Sequence, residues 1–353
     1  MGRCERNYIL QVEYLQVVIP TYTPHFPRVV KFLESLLEHC LDINTVQINF
    51  VVSDHEVGVF NDYIFKLSHK INIKIYSLKD LVKEIFNRDI DDAELLKKVG
   101  KYNFQSIKKF VGVYKVANPY AVLFDSEALA IRDFKMVDLF SDHFIKYRHI
   151  FYTENYNNEK FTNGIFSTIT NNCLELIGED KGLPYYFFEV YNWFFDKNIL
   201  DDLFTYIERF NKKSLFDLLC EKYDVVFEIV LYNLFIYYHN DKYKYNFICI
   251  NKELEEIMGK EEYSKYCVHK DLHTPFEFHI KTITNQKYSD YFSEFYSKRN
   301  LSFCKFGILN EKHYSPYMKR FIESTDDIIF LCTLWHLPNI ILEFKNGKKK
   351  QLV

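Results

Sequence analysis

Short apolar runs alternate with stretches of helical period over the first 135 residues, and this alternation constrains the fold most. Residues 14–20, Y-L-Q-V-V-I-P, end in a proline and are followed by T-Y-T-P, which predicts a buried first strand and its loop. Apolar side chains at Val29, Val30, Leu33, Leu36, Leu37 and Leu41 then recur at helical spacing. I-N-F-V-V-S-D (48–54) reads as a second buried strand, 57–69 as helix, I-N-I-K-I-Y-S-L (71–78) as a third strand and 79–87 as helix. Residues 91–113 read as helix in two pieces, broken near Gly100–Asn103, and 120–134 as a strand with a polar interruption. Strand–helix alternation is the α/β signature. Strands that are apolar throughout predict a mostly parallel sheet covered by helices on both faces.

Several α/β chemistries are excluded by glycine. Ten glycines in 353 residues is under half of the roughly 7% usual in proteins. None stands in G-x-G-x-x-G or G-x-x-x-x-G-K spacing, so the dinucleotide fingerprint and the P-loop are absent. Gly178 and Gly182 flank Asp180 rather than a serine, so there is no nucleophile elbow, and no H-E-x-x-H occurs. Lys plus Arg total 45 against 48 Asp plus Glu, a near-balance that gives no footprint for general nucleic-acid binding.

The second half reads differently: pieces of strand or loop around 148–170, a long helical stretch with breaks from about 184 to 240, a mixed region, and a last apolar strand over 327–337. No linker rich in Pro, Gly or Ser divides the chain, which predicts one catalytic unit with halves 1–145 and 146–353, the second helix-rich. Eight cysteines at long, irregular gaps, with no C-x-x-C, read as free thiols in a reducing compartment. No signal peptide and no run of 18 apolar residues is present, so a cytoplasmic location is expected. The basic tail K-N-G-K-K-K (345–350) reads as a solvated terminus or as a peripheral grip on anionic lipid.

Asp125-Ser126-Glu127 interrupts the most apolar stretch of the first half, between Y-A-V-L-F and A-L-A-I. Two carboxylates there are costly to bury unless a cation or hydrogen bonds satisfy them. At i and i+2 of an extended segment they share a side. Two hard oxygen ligands on one side suit Mg²⁺ or Mn²⁺, which take one or two carboxylates plus substrate phosphates. The alternative is a strand that ends at Phe124 and leaves both carboxylates in water.

V-V-I-P-T-Y (17–22), F-V-V-S-D (50–54) and Q-S-I-K-K (105–109) leading into Y-A-V-L-F-D-S-E-A-L-A-I-R-D-F (120–134) together resemble GT-A glycosyltransferases, and most of all the nucleotide-diphospho-sugar transferases. That fold carries an Asp-x-Asp motif at the end of a central strand, and here Glu127 replaces the second Asp, reaching one methylene further. The resemblance implies a GT-A-like, mostly parallel sheet with a helix-rich C-terminal acceptor lobe. It implies that Pro20, Thr21 and Tyr22 hold the nucleotide base and ribose, with Asp54 at the end of the second strand, and it adds Ser126 within the motif to the nucleotide-sugar set. Such positions agree with the rule that ligands bind outside the carboxyl ends of the strands. Lys108 or Lys109 would neutralise the diphosphate, with Gln105 a neighbouring candidate. A C-terminal His supplies a third metal ligand in several such enzymes, which singles out His336 in Trp335-His336; a satisfied core histidine is the alternative.

Two constellations concern the acceptor and the proton. Glu189, Asn192 and Trp193 lie in an aromatic phrase that suits either a plain core or a sugar platform with a few polar groups. Glu228 and Tyr232 share a helical face amid apolar neighbours. The phrase also resembles the S-E-Y-x-x-Y-G helix of related transferases, with Asn233 in place of Gly. Glu228, or failing it Glu189, is a candidate base for an acceptor hydroxyl, and a structural ion pair is the alternative for Glu228. The expected protein is a metal-dependent glycosyltransferase using a nucleotide-diphosphate sugar, a UDP-sugar first, and a glycan or glycolipid acceptor. Its rivals are a nucleotidyltransferase, whose Gly-rich loop is missing here, and a catalytically degenerate carbohydrate-binding protein.

Overall fold

The computed structural model describes residues 12–64, 70–154, 164–187, 193–267, 283, 285–306 and 316–333. Its central sheet has the order β3-β2-β1-β4-β8, formed by β1 (Leu15–Pro20), β2 (Val46–Val52), β3 (Asn72–Ser77), β4 (Tyr120–Leu123) and β8 (Trp193–Asp196). The first four strands are parallel, and β8 closes the edge antiparallel to β4, Leu123 opposite Trp193.

Alternate side chains of these strands enter two cores. Val17, Ile19, Ile48, Phe50 and Val122 pack on one face with Val29, Phe32, Leu33 and Leu36 of α1 (Phe26–His39). Val18, Val51, Ala121 and Leu123 pack on the other with Ile107, Phe110, Val111 and Val113 of the long helix α4 (Asp92–Val116). Between them come α2 (Val57–Ile64) and α3 (Leu78–Phe86). A sheet covered on both faces is what the uninterrupted apolar strands predict. Asn49, fully buried in β2, donates from its Nδ2 to Val17 O at 3.1 Å and Gln16 Oε1 at 3.0 Å.

Glycine matters at two points of α4. Gly100 has φ 72° and ψ 170°, where a side chain is strained, and kinks the helix where the sequence predicts a break. A Cβ on Gly112 would stand 2.8 Å from Val51 Cγ2 and 3.1 Å from Val18 Cγ1, so its absence sets how closely α4 approaches the sheet.

The stretch read as one strand over 120–134 is two. β4 stays in the central sheet, the polar residues make the corner, and β5 (Ala128–Ala130) enters a second sheet of order β10-β11-β5, with β10 (Phe303–Phe306) and β11 (Phe330–Thr333). A third sheet joins β7 (Tyr185–Tyr186), β6 (His149–Glu154) and β9 (Asn246–Cys249). The helical expectation over 184–240 is corrected at its start, where β7 and β8 stand. Aromatic residues suit strands, and pairing to β4 supplies the partner that local sequence does not show. The second half is otherwise helix-rich: α5 (Ile165–Leu176), α6 (Lys197–Asn211), α7 (Leu215–Glu221), α8 (Glu228–Tyr238), α9 (Ile250–Met258), α10 (Lys260–Cys267), α11 (Gln286–Arg299) and α12 (Pro316–Ser324). Among the described residues no helix is long and apolar enough to cross a membrane. Cys40, Cys173, Cys220, Cys249, Cys304 and Cys332 are free thiols.

Candidate active site at the carboxyl edge of the sheet

β1, β2 and β4 all end at one edge, so the loops after them converge there. Thr21 N donates to Val51 O at 3.0 Å. Glu56, on the turn after β2, accepts from both Thr23 N and Thr23 Oγ1 at 2.7 Å and ties the first two loops together. Lys108 braces them from beneath. It is 6% exposed and its ammonium donates to Thr21 O at 2.5 Å. Burial lowers its pKa to about 8, against the opposing pull of Glu56 and Asp92. Asp54 is exposed; its carboxylate accepts from Ser77 Oγ at 2.8 Å, and its backbone N–H donates to Asp92 Oδ2 at 2.6 Å. Burial raises the pKa of Asp92. Tyr22 is 43% exposed at the mouth of these loops, with its hydroxyl 2.9 Å from His25 Nε2.

The loop from β4 to β5 brings Asp125 and Glu127 together with Cys332 of β11. One ligand atom from each lies within 4.8 Å of the others. Strand pairing explains the third member: Cys332 sits opposite Ala128, next to Glu127. A cavity of about 20 Å³, enough for one water or ion, opens among Asp125, Trp193, Cys332, Phe124, Phe303 and Phe330. Asp125 and Cys332 line this cavity and Glu127 stands beside them, and two carboxylates with a thiol are a donor set that fits a divalent cation.

A cation from the chain itself borders this set. Lys109 Nζ lies 3.7 Å from Asp125 Oδ1, 3.0 Å from Glu228 Oε1 and 4.0 Å from the centre of the Trp193 ring. The Glu228 side chain is only 3% exposed. It stands in the first turn of α8, where the helix dipole favours an anion, and it accepts from Ser106 Oγ at 3.1 Å.

The structure therefore separates the sequence candidates. Asp125 and Trp193 line the cavity, Glu127 stands beside Asp125, and Lys109 links Asp125 and the Trp193 ring to Glu228, with Ser126 buried between the two carboxylates. Pro20 ends β1, and Thr21, Tyr22 and Asp54 lie on the adjoining loops. Lys108 is buried with its ammonium on Thr21 O, so it braces the loop rather than facing a diphosphate. Gln105 is exposed on α4. Tyr232 is 2% exposed and its hydroxyl accepts the Asp196 N–H at 2.9 Å, which leaves an acceptor sugar no access to it. Glu189, Asn192 and His336 lie outside the described residues. Sequence reasoning missed His25, Glu56 and Cys332. His25 and Glu56 are polar residues in loops already singled out; Cys332 is brought in by strand pairing across 200 residues of chain, for which no local signal exists.

The fold and this edge thus define an α/β protein with a carboxylate-rich centre where the parallel strands end. A family model described as "Family of unknown function (DUF6492)" matches residues 13–270, and the chain belongs to that family. No curated protein matches it by sequence. Among solved structures it is similar to mouse xyloside xylosyltransferase 1 (12% identity, 69% of this chain and 86% of that one, TM-score 0.37). It is also similar to S. aureus TarS residues 1–349 in complex with UDP (11% identity, 80% and 72%, TM-score 0.33). A third is the mannosyltransferase PcManGT of Pyrobaculum calidifontis in complex with GDP-Man and Mn²⁺ (10% identity, 99% and 86%, TM-score 0.33). All three likenesses are loose.

Proposed function

We propose that this protein is a metal-dependent glycosyltransferase that moves a sugar from a nucleotide-diphosphate donor, a UDP-sugar first, to a hydroxyl of a glycan or glycolipid. The observation that carries the reading is the convergence of Asp125, Glu127 and Cys332 at the carboxyl edge of a parallel sheet, with Lys109 beside them. Asp125 and Glu127, with Cys332, would hold Mn²⁺ or Mg²⁺, and a softer thiol in the set favours Mn²⁺. Such an ion, when bound, supplies Lewis-acid stabilisation of the departing nucleoside diphosphate.

The other roles belong to the chain. The cavity is too small for a nucleotide, so the donor lies across the open edge, against the loop of Pro20, Thr21 and Tyr22 and near Asp54. Lys109 presents its ammonium toward the diphosphate, adding a fixed positive charge where negative charge develops. Glu228 anchors Lys109 from behind, a role that suits its burial better than that of an exposed base. Trp193 offers a ring face beside the reacting centre for an acceptor sugar. The reaction is assigned to a reducing, cytoplasmic setting.

A melting scan with UDP-, GDP- and CMP-compounds, each with and without Mn²⁺, tests this. At 100 times its Kd a ligand stabilises by about 2.7 kcal/mol. A UDP-compound should raise the melting temperature by several degrees with Mn²⁺ and by less without it, and the double change Asp125→Ala, Glu127→Ala should remove that shift in a folded protein. A folded double mutant with unchanged metal-dependent affinity overturns the reading.

A further inference from the structure

A chain of hydrogen bonds runs from the surface to the Glu127 carboxylate. Tyr22 OH lies 2.9 Å from His25 Nε2, His25 Nδ1 lies 2.7 Å from Ser126 Oγ, and Ser126 Oγ donates to Glu127 Oε2 at 3.1 Å. Every proton in it follows from chemistry at the two ends. A carboxylate only accepts, so the single Ser126 proton goes to Glu127 and Ser126 Oγ must accept from His25. His25 Nδ1 therefore carries the ring proton. The Arg28 guanidinium can only donate, and its Nη1 lies 3.4 Å from His25 Nε2, a position that suits an Nε2 lone pair. One neutral tautomer fits both ends: Nδ1–H donates inward, and the single Nε2 lone pair accepts the Tyr22 hydroxyl at 2.9 Å, with Arg28 a longer, secondary donor at 3.4 Å. Ser126 is 3% exposed, so solvent does not compete for its hydroxyl.

We propose that His25 and Ser126 are positioning residues that hold the Glu127 carboxylate in its metal-ligating orientation. Glu has one more rotatable bond than Asp, so its carboxylate needs an outside constraint to hold one ligating orientation. A hydrogen bond to the ligating carboxylate, itself fixed by a second partner, supplies that constraint. The inference rests on the metal reading above.

The test is a Mn²⁺ titration of the whole protein, read by the electron paramagnetic resonance of free Mn²⁺, together with the ¹⁵N spectrum of His25. Removing a hydrogen-bond partner of a metal ligand typically weakens metal affinity about 10–100-fold. Ser126→Ala and His25→Phe should each do so, and their combination should weaken it little more than either alone. His25→Asn, which keeps a donor toward Ser126, should restore most of the affinity, a rescue that a loss of general stability would not produce. The His25 ring should be in the Nδ1–H tautomer in the native protein. Ser126→Ala with Mn²⁺ affinity within twofold of native, while Glu127→Ala loses it, overturns the positioning role and leaves the metal site standing. Equal affinity in the native protein and Glu127→Ala overturns the metal reading and the positioning role with it.

Discussion

Changing Glu228 to Gln separates an anchor from a base. At 3.0 Å the Lys109–Glu228 attraction is gross about 5 kcal/mol for an effective dielectric near 20. Most of this is offset by the cost of holding a carboxylate at 3% exposure, which Gln does not incur. Gln also keeps an oxygen for Ser106. Lys109 is not left alone, since Asp125 stands 3.7 Å away and the Trp193 ring 4.0 Å. The net loss should therefore fall below the 3–5 kcal/mol of a fully buried broken pair, at about 2 kcal/mol. For a chain of 353 residues the unfolding entropy is about 0.7 kcal/mol/K, so the melting temperature should drop about 3 °C. A cycle with Lys109→Met should show that the two changes are not additive, with a coupling of about 1–2 kcal/mol. If Glu228 is instead the proton acceptor, Glu228→Gln should melt normally and lose roughly 10²–10⁴-fold in turnover at saturating donor. That second outcome, normal melting with lost turnover, would refute the anchor.

Two further outcomes follow from the scaffold. The Lys108 pKa near 8 lies below the usual 10.5, so between those values the unfolded chain binds more protons than the native one. Its contribution to stability should therefore rise with pH from about 8 to 10.5, and the difference in urea midpoint between the native protein and Lys108→Met should change across that window; a constant difference would contradict the buried ammonium. Gly112→Ala would push a methyl to 2.8 Å from Val51 Cγ2, a branched side chain with little freedom to yield, and should cost about 1–3 kcal/mol in a denaturant titration.

Most of the first half was legible because its signals are local. Hydrophobic period marks β1 to β3 and the helices between them, and Gly100 marks the kink in α4. Asp125 and Glu127 were legible for a different reason: two charges inside an apolar stretch have to be explained by something that satisfies them. What was not legible depends on partners distant in sequence. β8 is a strand because β4 leaves an edge for it, and Cys332 reaches Glu127 because β11 pairs with β5. The two adjacent lysines of α4 show the same limit most sharply. They are chemically identical and one residue apart, about 100° around the helix. That rotation alone sends Lys108 under Thr21 and Lys109 toward Asp125, Glu228 and Trp193. The sequence therefore offers two interchangeable candidates for one charge, and the packing face of α4, fixed by Gly112 against Val18 and Val51, assigns bracing to one and the candidate site to the other.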